Sequence, residues 1–251
     1  MTTGIFVTAR VGSTRLPQKH LIDAHKKKFI EWLVGRYVHG FSDEISRGEV
    51  KVVIVTSTER GNEKFRELFS RDNVSVFFGD NDNIPLRHLQ CALNLDISYI
   101  ISIDGDDILC SVRGAERVRE KLLEGAMMVK TEGLPLGMNV MGYSTEFLRT
   151  SLKNVNSKVL ETGWGRIFDA SKIENIVLDK LPESDALRLT LDYEVDAEFF
   201  KTVISGIGDR ILQISDKELV KYIVEHKLYL LNKEVNEEYW ANFRSQQQKE
   251  D

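Results

Sequence analysis

A short apolar run, Ile5-Phe6-Val7, breaks directly into Ala9-Arg10-Val11-Gly12-Ser13-Thr14-Arg15-Leu16-Pro17-Gln18-Lys19. No other segment constrains the fold as much. A buried strand that ends in a glycine, two hydroxyls and three cations presents backbone N–H groups beside fixed positive charge, the combination that grips a polyphosphate. The spacing differs from a Walker A loop, because no Gly-Lys-Ser/Thr closes it. It also differs from a dinucleotide turn, which uses three glycines where this loop has only Gly12. Basic residues in a surface loop are often merely solvated, but the preceding strand and Gly12 favour phosphate contacts from Ala9, Arg10, Gly12, Ser13, Thr14, Arg15 and Lys19.

Beyond this loop, strand-like and helix-like patterns alternate. Apolar runs at residues 5–8, 51–56, 74–78 and 98–103 read as strands, and 3.6-residue periodicity at 29–41, 63–71, 84–95 and 113–123 reads as helices. This is βαβ punctuation, so the expected fold is a Rossmann-like α/β three-layer sandwich with a mostly parallel sheet. Ligands in such sheets bind beyond the carboxyl ends of the strands. The first loop, the turn at Thr56-Ser57 and the Asp104-Gly105-Asp106-Asp107 loop all fall at such ends. After 127–130 comes the turn-rich Gly133-Leu134-Pro135-Leu136-Gly137, expected to lead out of the first half into a second portion. Residues 217–230 read as a helix and 246–251 as a frayed polar end. The chain divides into a half holding the phosphate loop (1–130), a second region (131–215) and a C-terminal helical segment (216–251), all within one domain.

With 251 residues, 42% of them hydrophobic, the chain can bury a full core. A net charge of −5 argues against a general nucleic-acid binder. Cys91 and Cys110 lack a CxxC or histidine partner and read as buried thiols, not zinc ligands. No signal-like leader is evident, and no apolar run approaches the ~20 residues of a membrane span, so a cytoplasmic protein without a membrane partner is the default expectation. His20 and His25 flank a basic run ending in Lys26-Lys27-Lys28, which reads as a solvated turn without chemistry.

Five segments together carry a family resemblance. After the Ala9–Lys19 loop come Val53-Ile54-Val55-Thr56-Ser57-Thr58, then Gly79-Asp80-Asn81-Asp82-Asn83 with Arg87 eight residues after the glycine. Next are Ile103-Asp104-Gly105-Asp106-Asp107, and finally Arg188-Leu189-Thr190-Leu191-Asp192 with Asp196 four residues later. Their order resembles CTP-dependent sugar-acid cytidylyltransferases of the Kdo and acylneuraminate type, nearest to the branch named for spore-coat polysaccharide synthesis. The resemblance implies the nucleotide-diphospho-sugar transferase type of fold, with a small acceptor-binding and dimerisation lobe. It also implies transfer of CMP from CTP to a sugar acid with release of pyrophosphate, for surface-glycan precursors, and a homodimer.

Several negative oxygens must converge in such a reaction, so Mg²⁺ on hard oxygen ligands and a cationic loop on the leaving group are expected. Asp106 and Asp192 match the metal-binding positions. Arg15 and Lys19, with Asp106, are the candidate catalytic residues. Thr56, Ser57 and Arg87 are candidates for nucleotide contacts. Strand alternation would place Asp104 on the same face as Asp106, as a carboxylate near the nucleotide that supports the metal ligands or holds a second metal. Asp192 could instead cap the helix that follows it, with Asp196 purely structural.

Departures from the family pattern fall on the acceptor side. Gln18 stands where glycine is usual, tolerable if its φ stays negative. Asn139 and Met141 stand where acidic residues are common, and Glu161-Thr162-Gly163-Trp164 and Tyr193-Glu194-Val195 replace the usual segments. Asn139, Trp164 and Arg166 are the candidate acceptor contacts, with Trp164 equally readable as a packing anchor. A small anionic acceptor is expected. A different acceptor, such as a phosphonate or alditol phosphate, and a non-catalytic nucleotide-binding domain stay open as alternatives.

Overall fold

The computed structural model describes residues 1–250 other than 14, 71–73, 154, 179, 182 and 183. Thr14 and the end of the expected helix at 63–71 therefore lie outside the described residues. The central sheet has seven strands: β1 (Thr3–Thr8), β4 (Val50–Ser57), β5 (Val74–Gly79), β6 (Tyr99–Asp104), β7 (Met128–Glu132), β8 (Met141–Ser144) and β9 (Ile173–Val177). A separate two-stranded ribbon pairs β2 (Asp23–Ala24) with β3 (Lys27–Lys28). The strand order is β5-β4-β1-β6-β8-β7-β9.

Strands β1, β4, β5 and β6 are parallel neighbours. Their inner members are buried on both faces, which is why they read as continuous apolar runs. Side chains alternate between two cores. Ile5, Val7, Ile54 and Ile101 meet α1 (Phe29–Gly40) and α5 (Val112–Leu123) through Leu33, Tyr37 and Val118. Phe6, Val53, Val55 and Ile100 meet α4 (Ile84–Leu95) and α6 (Thr145–Leu152) through Cys91, Ala92 and Leu148. Helices thus cover both faces. A third core gathers α7 (Glu194–Ile207) and α8 (Asp216–Glu225) against Phe29 and Trp32 of α1. Two short helices, α2 (Ser42–Ser46) and α3 (Glu63–Leu68), flank β4 in sequence, and α9 (Asn236–Glu250) ends the chain.

The sheet is mostly parallel, as expected, with β8 as its antiparallel member. β8 runs antiparallel between β6 and β7, pairing Ile100 with Tyr143 and Met128 with Tyr143 on its two sides. Four residues are too few for a visible period, and Gly142 hides the strand further. A Cβ there would stand 2.8 Å from the Ile100 carbonyl oxygen, so the site needs glycine for the strand and α5 to approach. The C-terminal reading is also corrected. The expected helix at 217–230 stops at Glu225, and the supposedly frayed end is helical through α9.

Register sets the functional edge. Thr8 at the end of β1 pairs with Val55 and with Asp104, and the Gly105 N–H donates to the Thr8 carbonyl at 2.8 Å. Thr8 is fixed from below by His88, whose Nε2 lies 2.8 Å from the threonine hydroxyl and whose Nδ1 lies 2.6 Å from the Tyr143 hydroxyl. His88 is fully buried, and that burial, with Arg87 beside it, pushes its pKa down to about 3. A neutral imidazole has one donor and one acceptor nitrogen, which suits this bridge.

The sign of the linkage follows. Above an unfolded-state pKa of about 6.5 the imidazole is neutral in both states; as pH falls below it, only the unfolded chain takes the proton, and stability is lost. Between pH 7 and pH 5 this amounts to about 2 kcal/mol. Denaturation midpoints of the wild type are expected to fall more steeply over that range than those of His88→Gln. Equal slopes would contradict the assignment.

Candidate active site

The carboxyl ends of β1 and β6 open into a cavity of about 660 Å³. The first loop lines it with Ala9, Arg10, Gly12, Ser13, Arg15 and Lys19, and Asp104, Asp106, Asp107 and Asp192 form its acidic side. Asp104 ends β6, whereas Asp106 lies in the turn beyond it. Strand alternation therefore does not relate the two carboxylates; the Gly105 turn brings both to the cavity.

Lys19 joins the two motifs. Its ammonium donates to Asp106 Oδ2 at 2.6 Å and to Asp192 Oδ1 at 3.3 Å. Arg15 donates to the same Asp192 oxygen at 2.8 Å, and His20 Nε2 lies 2.9 Å from Asp106 Oδ1. His20 is held in turn by the Arg10 carbonyl at 3.0 Å from Nδ1. Sequence reading gave His20 no role; its only signal was its place directly after Lys19.

Burial works against the charges here, and their partners decide the outcome. Desolvation opposes the charge on Lys19, which is 6% exposed, but Asp106 and Asp192 outweigh it and raise the ammonium pKa. Burial likewise opposes ionisation of Asp106, yet Lys19 and His20 hold it below the usual carboxylate range. Asp104 is exposed at the end of β6; desolvation by the surrounding protein and then Asp106 push its carboxyl up to about 6 against the opposing pull of Lys19. Asp107 is raised further, first by desolvation and then by Asp104 and Asp106.

Asp192 is anchored behind the cavity. Arg188, 4% exposed, donates to Asp192 Oδ2 at 2.9 Å and to Asp196 at 3.2–3.3 Å. Asp196 does the capping: one of its oxygens accepts the backbone N–H groups of Asp192 and Tyr193 at 3.0 Å, closing the start of α7. Asn232 donates to its other oxygen at 2.8 Å.

Other predicted residues brace the site. Thr56 and Ser57 are fully buried and absent from the cavity lining. The Ser57 hydroxyl accepts from Asn62 at 2.8 Å, and Asn62 Oδ1 accepts the Val11 N–H at 2.9 Å, so this turn holds the phosphate loop from beneath. Arg87 lines the cavity but spends its guanidinium on the carbonyls of Asp80 and Asn81. Arg10 forms two contacts with Glu161, at 2.6 and 2.9 Å. Trp164 lines the cavity, its ring edge-on to His88 and Tyr143 at 5.6 and 5.9 Å. Asn139 and Arg166 lie outside it. The Asn139 amide closes its own turn on Leu134 at 2.8 Å, and Arg166 donates to the Thr162 carbonyl beside a separate cavity. Tyr239 and Phe243 of α9, which sequence reading missed, line the site.

Gln18 departs from expectation too. Its φ is +53°, in the left-handed region where glycine is favoured.

This sheet, with its ligand edge at the strand ends, defines a Rossmann-like nucleotidyltransferase fold. Solved structures similar to it include a cytidylyltransferase from Leptospira borgpetersenii, 21% identical with a TM-score of 0.78, covering 91% of this chain and 97% of that one. CMP:2-keto-3-deoxy-manno-octonic acid synthetase, complexed with CTP, is 13% identical with a TM-score of 0.60, covering 82% and 99%. A nucleotidyl transferase from Methanothermobacter thermautotroptrophicus is 14% identical with a TM-score of 0.61, also covering 82% and 99%. The cytidylyltransferase family model matches residues 5–175, more than half of the sequence. The chain belongs to the cytidylyltransferase family, a family of enzymes. No curated protein matches it. Among the described residues, no helix is long and apolar enough to cross a membrane.

Two substitutions test the local physics. Arg188→Met leaves the buried Asp196 carboxylate without its cation and removes one of three from Asp192, and is expected to cost about 3–5 kcal/mol in denaturant unfolding. Gln18→Gly relieves the left-handed strain and is expected to be as stable as the wild type or up to about 1 kcal/mol more so, whereas Gln18→Val is less stable than either. The reverse order would contradict the loop geometry.

Proposed function

We propose that this protein transfers CMP from CTP to a small anionic acceptor of the sugar-acid class, in a Mg²⁺-dependent reaction that releases pyrophosphate for surface-polysaccharide or glycoconjugate precursor synthesis. The observation that carries the reading is a single cavity in which Arg10, Arg15 and Lys19 face Asp104, Asp106 and Asp192 at the carboxyl edge of the sheet. Family membership supports the cytidine nucleotide, and the five ordered motifs support the Kdo-like and spore-coat branches as the source of the acceptor class.

In this reading the cationic loop binds the triphosphate, and an acceptor oxygen attacks the α-phosphorus as the bond to the leaving pyrophosphate breaks. Arg15 and Lys19 hold the charge that accumulates on pyrophosphate. The backbone of the loop from Ala9 to Ser13, braced by Asn62, orients the phosphates. Trp164 and its aromatic neighbours shape the far side of the pocket, and residues 131–215 contribute the acceptor portion, in a chain proposed to act as a homodimer.

The donor set suits Mg²⁺. Asp106 and Asp192 are hard oxygen donors already sharing one cation, the Lys19 ammonium, at 2.6 and 3.3 Å. Among the described residues no trio of His, Cys, Asp or Glu side chains is placed to hold a metal alone. Two carboxylates completed by substrate phosphate and water are how Mg²⁺ is commonly held. Once bound, the ion would neutralise phosphate charge and polarise the α-phosphate.

Pyrophosphate release should be measured with each of the four NTPs and Mg²⁺ against octulosonic, nonulosonic and phosphonate acceptors. Release confined to CTP with one acceptor is expected, together with loss of at least 100-fold in Asp106→Ala at unchanged circular dichroism. Binding of CTP without release for any acceptor would overturn the transferase reading in favour of nucleotide sensing. An active Asp106→Ala would remove that residue from the chemistry.

A further inference from the structure

Four residues of α9, Tyr239, Phe243, Gln246 and Lys249, line the same cavity as the phosphate loop and the aspartates. Their spacing of four, three and three residues places them along one stripe of a helix. The rest of α9 is polar, and Trp240 on its outer side is 40% exposed. A polar terminal helix has little intrinsic reason to be ordered, since most helical stability comes from packing one apolar face. The packing it has is at the site. The Tyr239 ring lies over the Arg188 guanidinium at 4.2 Å, and the Asn242 amide donates to the Tyr193 hydroxyl at 3.0 Å. A Cβ at Gly163, where φ is +60°, would stand 2.7 Å from the Gln247 side chain and 3.5 Å from the Phe243 ring.

These anchors, Gly163, Arg188 and Tyr193, lie in the region assigned to the acceptor and outside the first loop, with Arg188 also holding Asp192 and the Tyr193 ring 5.5 Å from the Arg15 guanidinium. From this we infer that α9 is the closing wall of the acceptor site: Tyr239 and Phe243 offer ring faces to the acceptor's carbon skeleton, and Gln246 and Lys249 offer an amide and an ammonium to its hydroxyl and anionic groups. Pockets for small polar ligands commonly combine aromatic walls with a few polar groups placed for orientation in this manner. The wall also stands between the reacting centre and bulk water. The inference rests on the transferase reading for its acceptor, but the shielding of water is separable from it.

The test uses the full chain carrying Asn242→Pro, which breaks α9 at the point where it is tied to Tyr193, and Phe243→Ala, which leaves the helix and removes one ring. Calorimetry gives the CTP affinity with Mg²⁺. Pyrophosphate release is then followed with 3-deoxy-octulosonic acid, with N-acetylneuraminic acid, and with water as the only acceptor. For Asn242→Pro the expected result is a CTP Kd within threefold of wild type, an acceptor KM raised at least tenfold, and acceptor-free CTP hydrolysis raised at least threefold. Phe243→Ala is expected to raise the acceptor KM about fivefold with kcat nearly unchanged. Wild-type acceptor KM and wild-type hydrolysis in Asn242→Pro would overturn the inference, as would a CTP affinity that falls in step with the KM. If the full chain transfers CMP to neither acid, the proposed acceptor class fails, and hydrolysis alone decides the role of α9.

Discussion

The ammonium of Lys19, held between Asp106 and Asp192, is the interaction on which the arrangement of this protein depends. Each of the three groups comes from a different part of the chain: the loop after β1, the turn after β6 and the approach to α7. Two carboxylates drawn together in a cleft repel each other and lose hydration, a cost that a shared cation offsets. Lys19 supplies that cation, and Arg15 and His20 add further donors. The ion cluster therefore ties three sequence motifs into one surface before any ligand arrives.

Much of the remaining structure serves to hold that surface. The β1–β6 register sets Thr8 beside Asp104, and the His88 bridge to Tyr143 keeps Thr8 in place. Asn62 and Ser57 support the loop from below, and Arg188, Asp196 and Asn232 hold Asp192 from behind. These residues touch little of the cavity, yet they fix the charges that do. For the proposed transfer such preorganisation is an advantage, because dipoles and charges held in place need not rearrange as the charge of the transition state develops.

The parallel half of the fold and the place of the cationic loop at its edge were legible in the sequence because their signals are local. A continuous apolar run followed by glycine, hydroxyls and cations describes a buried strand and an anion loop without reference to the rest of the chain. β8 was not legible, since four residues around Gly142 carry no period and their direction is set by tertiary packing. α9 was hidden for the opposite reason: its composition suggests solvent, and only the cavity it borders explains its stripe of Tyr239, Phe243 and Gln246. The condition set for Gln18, a negative φ, is not met because a loop's handedness is fixed by its closure onto Val11, whose carbonyl accepts the Gln18 N–H at 3.3 Å. Thr56 and Ser57 have hydroxyls of the kind expected at a nucleotide, but the fold buries both, and Ser57 accepts from Asn62, which supports the loop. His20 illustrates the converse, a residue dismissed as part of a basic turn that the fold places on Asp106.

In the proposed function the cation–carboxylate cluster at the sheet edge binds the nucleotide. The most direct test is calorimetric titration of CTP with Mg²⁺ into the wild type and Lys19→Ala, with folding checked by thermal denaturation. The account predicts that Lys19→Ala stays folded and binds CTP at least tenfold more weakly. A folded Lys19→Ala that binds CTP as tightly as the wild type would contradict it and place the nucleotide elsewhere on the molecule.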